Sequence, residues 1–466
     1  MALRATAIPG LLVVDLVLHT DPRGWFKENW QREKMTALGL PDFGPVQHSI
    51  AANAERGVTR GCHAEPWDKL VSVGQGRVFG AWVDLRAGAS FGTVVTLELG
   101  PETAVFVPRG VANSYQCLES DTIYSYLVND HWSPEARARY SYVNVGDPAL
   151  GIDWPIPLSD AILSEADRTH PRLAEATPVP ARRTVILGGS GQLGRALSAA
   201  LPDALVPDRA TLDLTSTDSV EAFDWSDVGT IVNASAFTAV DACETSPGRR
   251  SAWATNVDGV ARLCQVARER RCRLVQVSSD YVFDGEATVH DEDEPFSPLG
   301  VYGQTKAAGD RLVGQLPEHL VIRTSWLIGD GANFAETMLR LARAGAHPCV
   351  VDDQVGRLTF TQDLAAGIVH LLGIGAGGTF NLSNSGPAQT WAAIARDIFS
   401  FAGRDPGDVS AVSTAAWASS QNRPVAPRPR HSTLDLGRIS STGFKPPAAA
   451  DRLRSWLDRN PAGPAT

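Results

Sequence analysis

The stretch "TVILGGSGQLGRAL", Thr184–Leu197, decides the fold of the larger part of this chain. An apolar strand runs into a glycine-rich turn, and the turn opens a helix. Gly188, Gly191 and Gly194 space as GxxGxxG. In such a turn the first glycine permits a tight reversal, the second lets backbone approach a diphosphate, and the third lets the helix pack on the strand. The turn arrives only after more than a third of the 466 residues. A separate unit therefore precedes it, and the length itself predicts two or three domains of roughly 150 residues.

Downstream, "TIVNAS", "RLVQVSS" and "LVIRTSW" read as further strands. Helical stretches such as "SAWATNVDGVARLCQVARER" lie between them. That alternation predicts a parallel sheet with helices on both faces. Upstream the grammar differs. Short apolar runs such as "KLVSVGQGRVFGAWVDLR" and "TVVTLELGPETAVFVP" are split by Gly, Pro and Asp, with period-2 alternation in "RVFGAWVDLR". Short strands at this spacing predict a barrel or jelly roll. The segment "EATPVPARR" reads as a linker. The expected boundaries are 1–176 for the first domain, 177–182 for the linker and 183–466 for the second domain.

Hydrophobic content of 43% and charged content of 20% are those of a soluble globular protein. Forty-two basic against 52 acidic side chains give a net charge of −10, which gives a nucleic-acid partner no bulk electrostatic support. The early run "LLVVDLVL" reads as a strand rather than a signal peptide, because Asp15 interrupts it and no small-residue cleavage site follows. No apolar run reaches the ~18 residues of a membrane span. The 6 cysteines form no CxxC pair and are scattered, as in a reduced, cytoplasmic chain.

Chemistry in the second half centres on "YGQTK", which sets Tyr302 and Lys306 four apart, on one face of a helix. An adjacent ammonium is expected to lower the pKa of the tyrosine hydroxyl and so make it a proton-transfer group. Ser279, at the end of the preceding strand, is placed to hold a substrate oxygen. These residues resemble an extended short-chain dehydrogenase/reductase. Taken in order, "GGSGQLG", "VNASAFTAVDACE", "SSDYVFDG", "YGQTK", "RTSWLIGDGANF", "VVDDQVGRLTF" and "RPRHSTLD" resemble the dTDP-4-dehydrorhamnose reductase family from about Arg183 to Trp456. The resemblance implies a Rossmann fold with a smaller substrate-binding subdomain, reducing a 4-keto sugar with NADPH or NADH. Ser279, Tyr302 and Lys306 would be the catalytic trio, with Ser279 where the family usually has Thr. Gly188, Gly191, Gln192, Leu193, Gly194, Asp213, Leu214, Asn233, Ala234 and Ala236 would line the cofactor, with Tyr281 beside them. Trp326, Asn333 and Arg430 would face the nucleotide-sugar. "GRLTF" departs from the usual Gly-x-Pro-Thr, with Arg357 and Leu358 in the substrate loop.

In the first half the polar residues of interest are His63, Lys69, Tyr126 and Asp167. No metal is expected: His63 has no second histidine close by in sequence, and "CHAE" adds only Glu65. "DPRGWFKENW", "QHS", "TRGCH", "KLVSVGQGRVFGAWVDLR", "VPRGVANSYQ", "WP" and "LSEAD" together resemble the dTDP-4-dehydrorhamnose 3,5-epimerase family over about residues 3–176. That implies an all-β, cupin-like jelly roll. A dyad of His63 and Asp167 would remove a proton beside the C4 ketone. Tyr126 would donate from the opposite face, and Lys69 would stabilise the enolate. Arg23 and Arg60 would meet the diphosphate, and Glu28 and Gln47 the nucleotide end. Asn113, among the expected substrate residues, stands where the family usually has His. Ser49, Trp132 and Arg137 replace a usual Asn, Tyr and Glu.

The two resemblances imply one chain that epimerises a dTDP-4-keto-6-deoxy-sugar at C3 and C5 and then reduces C4. The alternative is a reductase whose first domain is degenerate, or acts on a single centre and leads to another dTDP-6-deoxy-hexose. A homodimer is expected, with no membrane and no nucleic-acid partner. Asp208 favours a ribose hydroxyl and Arg209 a 2′-phosphate, so NADPH and NADH both stay open, as does any need for Mg²⁺.

Overall fold

A computed structural model describes residues 1–460; residues 461–466, at the end of the expected second domain, lie outside the described residues. The chain divides into two compact units, Met1–Ala181 and Arg182–Thr466.

The first unit is built from two antiparallel sheets. One has six strands in the order Ala2–Ala5, Leu12–Asp15, Thr103–Val107, Lys69–Gln75, Thr122–Val128 and Gln47–Asn53. The other has five, in the order Ser141–Tyr142, Thr59–Ala64, Val111–Cys117, Val78–Asp84 and Val94–Leu99. Val71, Val105 and Tyr124 from the first sheet share one core with Trp82, Val111 and Tyr115 from the second. Tyr115 and Tyr124 stack across it with ring centroids 4.0 Å apart. The non-consecutive neighbours in each sheet make this a jelly roll.

The strand Val78–Asp84 does not show the half-exposed alternation its sequence predicts; all but Phe79 are fully buried. The chain after Ser141 explains this. Val143, Val145 and Leu150 cover Val83 and Leu85 from outside, and Trp154 meets Phe79 edge-on at 5.6 Å. The proline-containing stretch is likewise not a free linker throughout. Val179 is buried, and its N–H donates to the Leu85 carbonyl at 2.7 Å. Its apolar side chain docks it on the jelly roll.

In the second unit five parallel strands lie in the order Arg183–Leu187, Val228–Asn233, Arg273–Val277, His319–Arg323 and Gly378–Asn381. Val185 and Leu187 face one core, with Val260 and Leu263 of a covering helix. Ile186, between them, faces the other core with Leu193, Leu197, Leu364 and Ile368. Both faces are covered, which is why these strands read as unbroken apolar runs. The second segment of the covering helix, Gly259–Arg270, is preceded by a π-helical turn at Ala254–Asp258. A third core joins the helices Phe334–Arg343, Trp391–Phe401 and Ala449–Arg459. In Phe334–Arg343 the buried residues are Ala335, Met338, Leu339 and Ala342, the i, i+3, i+4, i+7 stripe of an amphipathic helix. This is the smaller subdomain beside the sheet.

Candidate functional sites

A cavity of about 600 Å³ opens in the first unit, lined by residues that include Arg60, His63, Arg137, Tyr142, Asp167 and His170. His63 lies on the strand Thr59–Ala64, and Asp167 lies on the short helix Glu165–Thr169. Despite 104 intervening positions, His63 Nε2 is 2.8 Å from Asp167 Oδ1. Ser164 caps that helix and fixes Asp167 at both ends: its Oγ donates to the carboxylate at Oδ2, 2.9 Å, and accepts from the backbone N–H at 3.1 Å. Burial raises the pKa of Asp167, but the hydrogen bonds from His63 and Ser164 outweigh it and hold the carboxyl below its ordinary range. The dyad engages Nε2 and leaves Nδ1 as the ring nitrogen away from the carboxylate.

Lys69 and Tyr126 come from the opposite sheet, on the strands Lys69–Gln75 and Thr122–Val128, and neither is among the residues lining this cavity. Lys69 Nζ lies 2.9 Å from Glu65 Oε2 and 6.0 Å from the centroid of the Tyr126 ring. Lys69 is buried and Glu65 is partly buried. Removing either would strand a charge, at a cost of about 3–5 kcal/mol. Burial and the charge of Glu65 push the Tyr126 phenol above its ordinary pKa, so it carries its proton at neutral pH.

The expected substrate residues divide. Arg60 lines the cavity and its Nε donates to Asn53 Oδ1 at 3.1 Å. Gln47 Oε1 accepts from the Trp132 N–H at 3.0 Å. Asn113 lies beside His63 in strand register, and its Oδ1 accepts from the buried Tyr124 hydroxyl at 3.1 Å. Arg23 is exposed on the hairpin His19–Phe26, paired with Asp21 at 2.5 Å, and Glu28 pairs with Lys34 at 2.5 Å; neither lines the cavity. Arg137, noted in the sequence only as a departure, does line it and adds a second guanidinium.

His170 was not anticipated. It stacks on Tyr142 at 4.4 Å, meets His63 edge-on at 5.5 Å, and brings its Nε2 to 3.4 Å from Asp167 Oδ1. The expectation that His63 lacks a histidine neighbour held along the sequence and fails in space. Position i+3 from Asp167, just past the end of its helix, was the available signal.

The second unit holds a larger cavity, about 820 Å³, at the C-terminal ends of the parallel strands. Gly188 has φ +79°, and a Cβ there would meet backbone atoms of Ser235 at 2.8 Å. A Cβ on Gly194 would lie 2.1 Å from the Gly188 carbonyl oxygen, so this glycine serves the helix–strand contact. Gly191 caps the helix Gln192–Ala200 and offers no side chain to its first N–H groups. Those donors are left for an anionic ligand, which fits the diphosphate of a dinucleotide. Gln192, Leu193, Asp213, Leu214, Ala234 and Ala236 line the same cavity. Asn233 does not. It is buried, donating to Gln276 Oε1 at 2.8 Å and accepting from the Ser235 N–H at 3.1 Å, so it shapes the loop from behind. Asn256, in the π-helical turn, holds the next part of that loop: its Oδ1 accepts from Phe237 N–H at 2.8 Å and its Nδ2 donates to Phe237 O at 3.2 Å. No sequence motif announced it.

Ser279, Tyr281, Tyr302 and Lys306 meet at the far end of this cavity. Lys306 Nζ donates to the Val277 carbonyl at 2.7 Å, and burial lowers its pKa to about 8. Tyr302 departs from expectation. Burial, and then the charge of Asp280, raise its pKa, and Lys306 does not reverse this. The phenol therefore keeps its proton, which is the form a proton donor needs. Asp280 is itself pushed up to about 6 by burial. Trp326 lines the cavity with φ +44°, stacked on Trp391 at 3.7 Å. Asn333 and Arg430 are not among the lining residues. Asn333 caps the helix Phe334–Arg343, accepting from Glu336 N–H at 2.9 Å and donating to Gly329 O at 2.7 Å. Arg430 is exposed, and its carbonyl accepts from Val355 N–H at 2.8 Å. Arg357, just before the Leu358 that stands in place of the usual proline, ties two loops by donating to Gly386 O at 2.8 Å and Leu434 O at 3.0 Å.

A dinucleotide cradle ending in a Tyr–Lys pair defines the second unit as an α/β oxidoreductase, here fused to a jelly roll carrying a His–Asp dyad. The chain belongs to the RmlD substrate binding domain family, which matches residues 182–461. Residues 5–175 match the dTDP-4-dehydrorhamnose 3,5-epimerase family. Over 177 residues the chain is 48% identical to the protein RmlC homolog of Streptococcus pyogenes serotype M6, covering 37% of this chain and 89% of that protein. Over 294 residues it is 38% identical to the dTDP-4-dehydrorhamnose reductase of Streptomyces griseus, covering 60% of this chain and 92% of that one. Among solved structures it is similar to the Bacillus anthracis dTDP-4-dehydrorhamnose reductase in complex with NADP, at 30% identity and a TM-score of 0.55, covering 60% of this chain and 99% of that one.

Proposed function

We propose that this chain catalyses two consecutive steps toward dTDP-L-rhamnose. The jelly roll epimerises dTDP-4-dehydro-6-deoxy-D-glucose at C3 and C5, and the second unit reduces the C4 ketone of the product. The observation that carries this reading is that each unit has its own cavity, one lined by the His63–Asp167 dyad and the other by Ser279, Tyr302 and Lys306.

In the first cavity His63, oriented by Asp167, takes the proton beside the ketone. Lys69 stabilises the negative oxygen of the enolate, and Tyr126, protonated and from the opposite sheet, returns a proton to the other face. Arg60 and Arg137 supply guanidinium groups for the diphosphate. In the second cavity the glycine turn and the open helix N-terminus hold the cofactor's diphosphate. NADPH supplies a hydride to C4 when bound. Ser279 orients the ketone oxygen, Tyr302 donates its proton to that oxygen, and Lys306 supports Tyr302. Arg209, exposed at the cavity rim and 3.2 Å from Asp213, supports NADPH over NADH as a partner for a 2′-phosphate.

Among the described residues no helix is long and apolar enough to cross a membrane. The six free thiols fit a reducing, cytoplasmic setting. Trp25 and Phe26, 43% and 64% exposed on the first unit's hairpin, support a homodimer that covers them.

The test supplies dTDP-4-dehydro-6-deoxy-D-glucose in deuterated water. Without nicotinamide, deuterium should enter at C3 and C5. With NADPH, NMR of the product should show a rhamnose configuration. Absence of exchange would reduce the first unit to a binding module, and exchange at one centre alone would change the product.

A further inference from the structure

The wall of the jelly-roll cavity holds more ligand capacity than proton transfer needs. His63 Nε2 lies 2.8 Å from Asp167 Oδ1, His170 Nε2 lies 3.4 Å from the same oxygen, and the ligand atoms of all three residues lie within 4.8 Å of one another. The His170 approach is long for a hydrogen bond, and its Nε2 is shielded from water with no hydrogen-bond partner. A buried polar atom in that condition is costly unless something else meets it.

Two imidazole nitrogens and a carboxylate oxygen are the donors of borderline divalent ions, Zn²⁺ above all; calcium and magnesium prefer oxygen throughout. Bonds of about 2.0–2.2 Å place the ligands of a tetrahedral zinc site roughly 3.3–3.5 Å apart. The three atoms bracket that spacing. Their supports are also in place. Ser164 orients the carboxylate by donating to its second oxygen at 2.9 Å. The Tyr142 ring stacks on His170 at 4.4 Å and meets His63 edge-on at 5.3 Å. Second partners of this kind fix the aim of ligating groups. All three residues face the cavity, so water can complete the coordination.

We propose that His63, Asp167 and His170 form a binding site for a divalent transition metal ion, zinc in the first instance, and that occupancy switches the epimerase off. This rests on the reading of His63 as the base. A metal on Nε2 replaces the carboxylate partner of the imidazole and draws electron density from the ring. The ion also sits on the wall of the cavity and blocks the substrate's approach to His63. The reductase trio is untouched.

The site is tested by titrating the metal-free full-length protein with zinc chloride by calorimetry, for wild type, His170→Ala and His170→Gln. Wild type should bind one zinc that both variants bind at least tenfold more weakly. Cobalt in place of zinc should give the intense visible absorption of a four-coordinate site in wild type and lose it in the variants. Circular dichroism identifies a variant that has unfolded, and the cobalt spectrum of wild type alone then decides. Zinc affinity unchanged by both His170 substitutions, or an octahedral cobalt spectrum in wild type, would overturn the site. Inhibition is read separately, as the ratio of deuterium exchange with and without zinc within each protein. That ratio should fall at least tenfold in wild type and much less in the variants; an unchanged wild-type ratio overturns the inhibition. A metal-free wild type that shows no exchange fails the epimerase reading instead, while the binding arm still decides the site.

Discussion

Each unit brings a tyrosine and a lysine near one another, and the two pairs are assembled in opposite ways. Tyr302 and Lys306 lie four apart on one helix, Val301–Val313, so a single element fixes their geometry. Tyr126 and Lys69 come from neighbouring strands of one sheet, while His63 and Asp167 approach from the other sheet and a distant helix. The charge states differ too. Lys69 is ion-paired with Glu65 at 2.9 Å, whereas Lys306 gives its hydrogen bond to a backbone carbonyl and is weakened as an ammonium by burial. Local assembly tolerates change elsewhere in the fold; assembly from four elements makes the site an outcome of the whole jelly roll.

The largest expected effects come from breaking the two sites reciprocally. Tyr302→Phe should cut NADPH oxidation by about 10²–10⁴, the usual worth of a general acid, with deuterium exchange unchanged. His63→Asn should cut exchange by a comparable factor, about 10²–10⁴, while a pre-epimerised 4-keto-L-sugar is still reduced. If either substitution abolished both activities in a folded protein, the sites would not be independent.

The next effect sharpens the contrast in lysine environments. Lys306, lowered to about 8, loses its proton as pH rises through that value. Reduction of the pre-epimerised sugar should therefore decline above pH 8, approaching about tenfold per pH unit. Exchange in the first unit should lack that limb. A flat reductase profile to pH 10 would remove Lys306's charge from the mechanism.

Arg60→Ala should raise the Michaelis constant for epimerisation about tenfold to a hundredfold, the worth of one charged hydrogen-bonding group at about 1.5–3 kcal/mol. Bound-state exchange should change less. An unchanged Michaelis constant would leave the diphosphate to Arg137.

The smallest effect concerns Asn333. As a helix cap it should cost about 0.5–2 kcal/mol of stability on replacement by Ala, measured by denaturant unfolding, with little change in the Michaelis constant for the 4-keto-L-sugar. A large rise in that constant with normal stability would return Asn333 to the substrate site.

Much of this was legible in the chain, and the pattern of what was not is physical. The glycine turn, the strands before and after it, and the Tyr302–Lys306 spacing are local signals, and the strand–helix alternation repeats them. The strand Gly378–Asn381 was missed because "GTFN" is too short and mixed to stand out from loop. The pairing of His63 with Asp167 came from resemblance, since a contact across 104 positions leaves no local trace. His170 was missed although it lies three residues beyond Asp167. Its role is set by Tyr142 and His63, which arrive from elsewhere in the chain. Asn333 was expected at the substrate and is seen capping a helix, because a family motif names the residue without saying whether its side chain turns to the ligand or back to the helix.

The π-helical turn at Ala254–Asp258 has a consequence for how this chain can change length. Such a turn carries one residue more than the α-helix around it. Deleting a single codon there would let the helix run regularly. Each α-helical residue advances the azimuth by about 100°. Asn256 would swing away from Phe237 and from Thr305, to which its Nδ2 donates at 3.0 Å, releasing the loop on the cofactor side. A frame-preserving deletion at this one turn should therefore be as damaging as losing a cavity residue, while deletions in solvent-facing loops of the same unit pass with little effect.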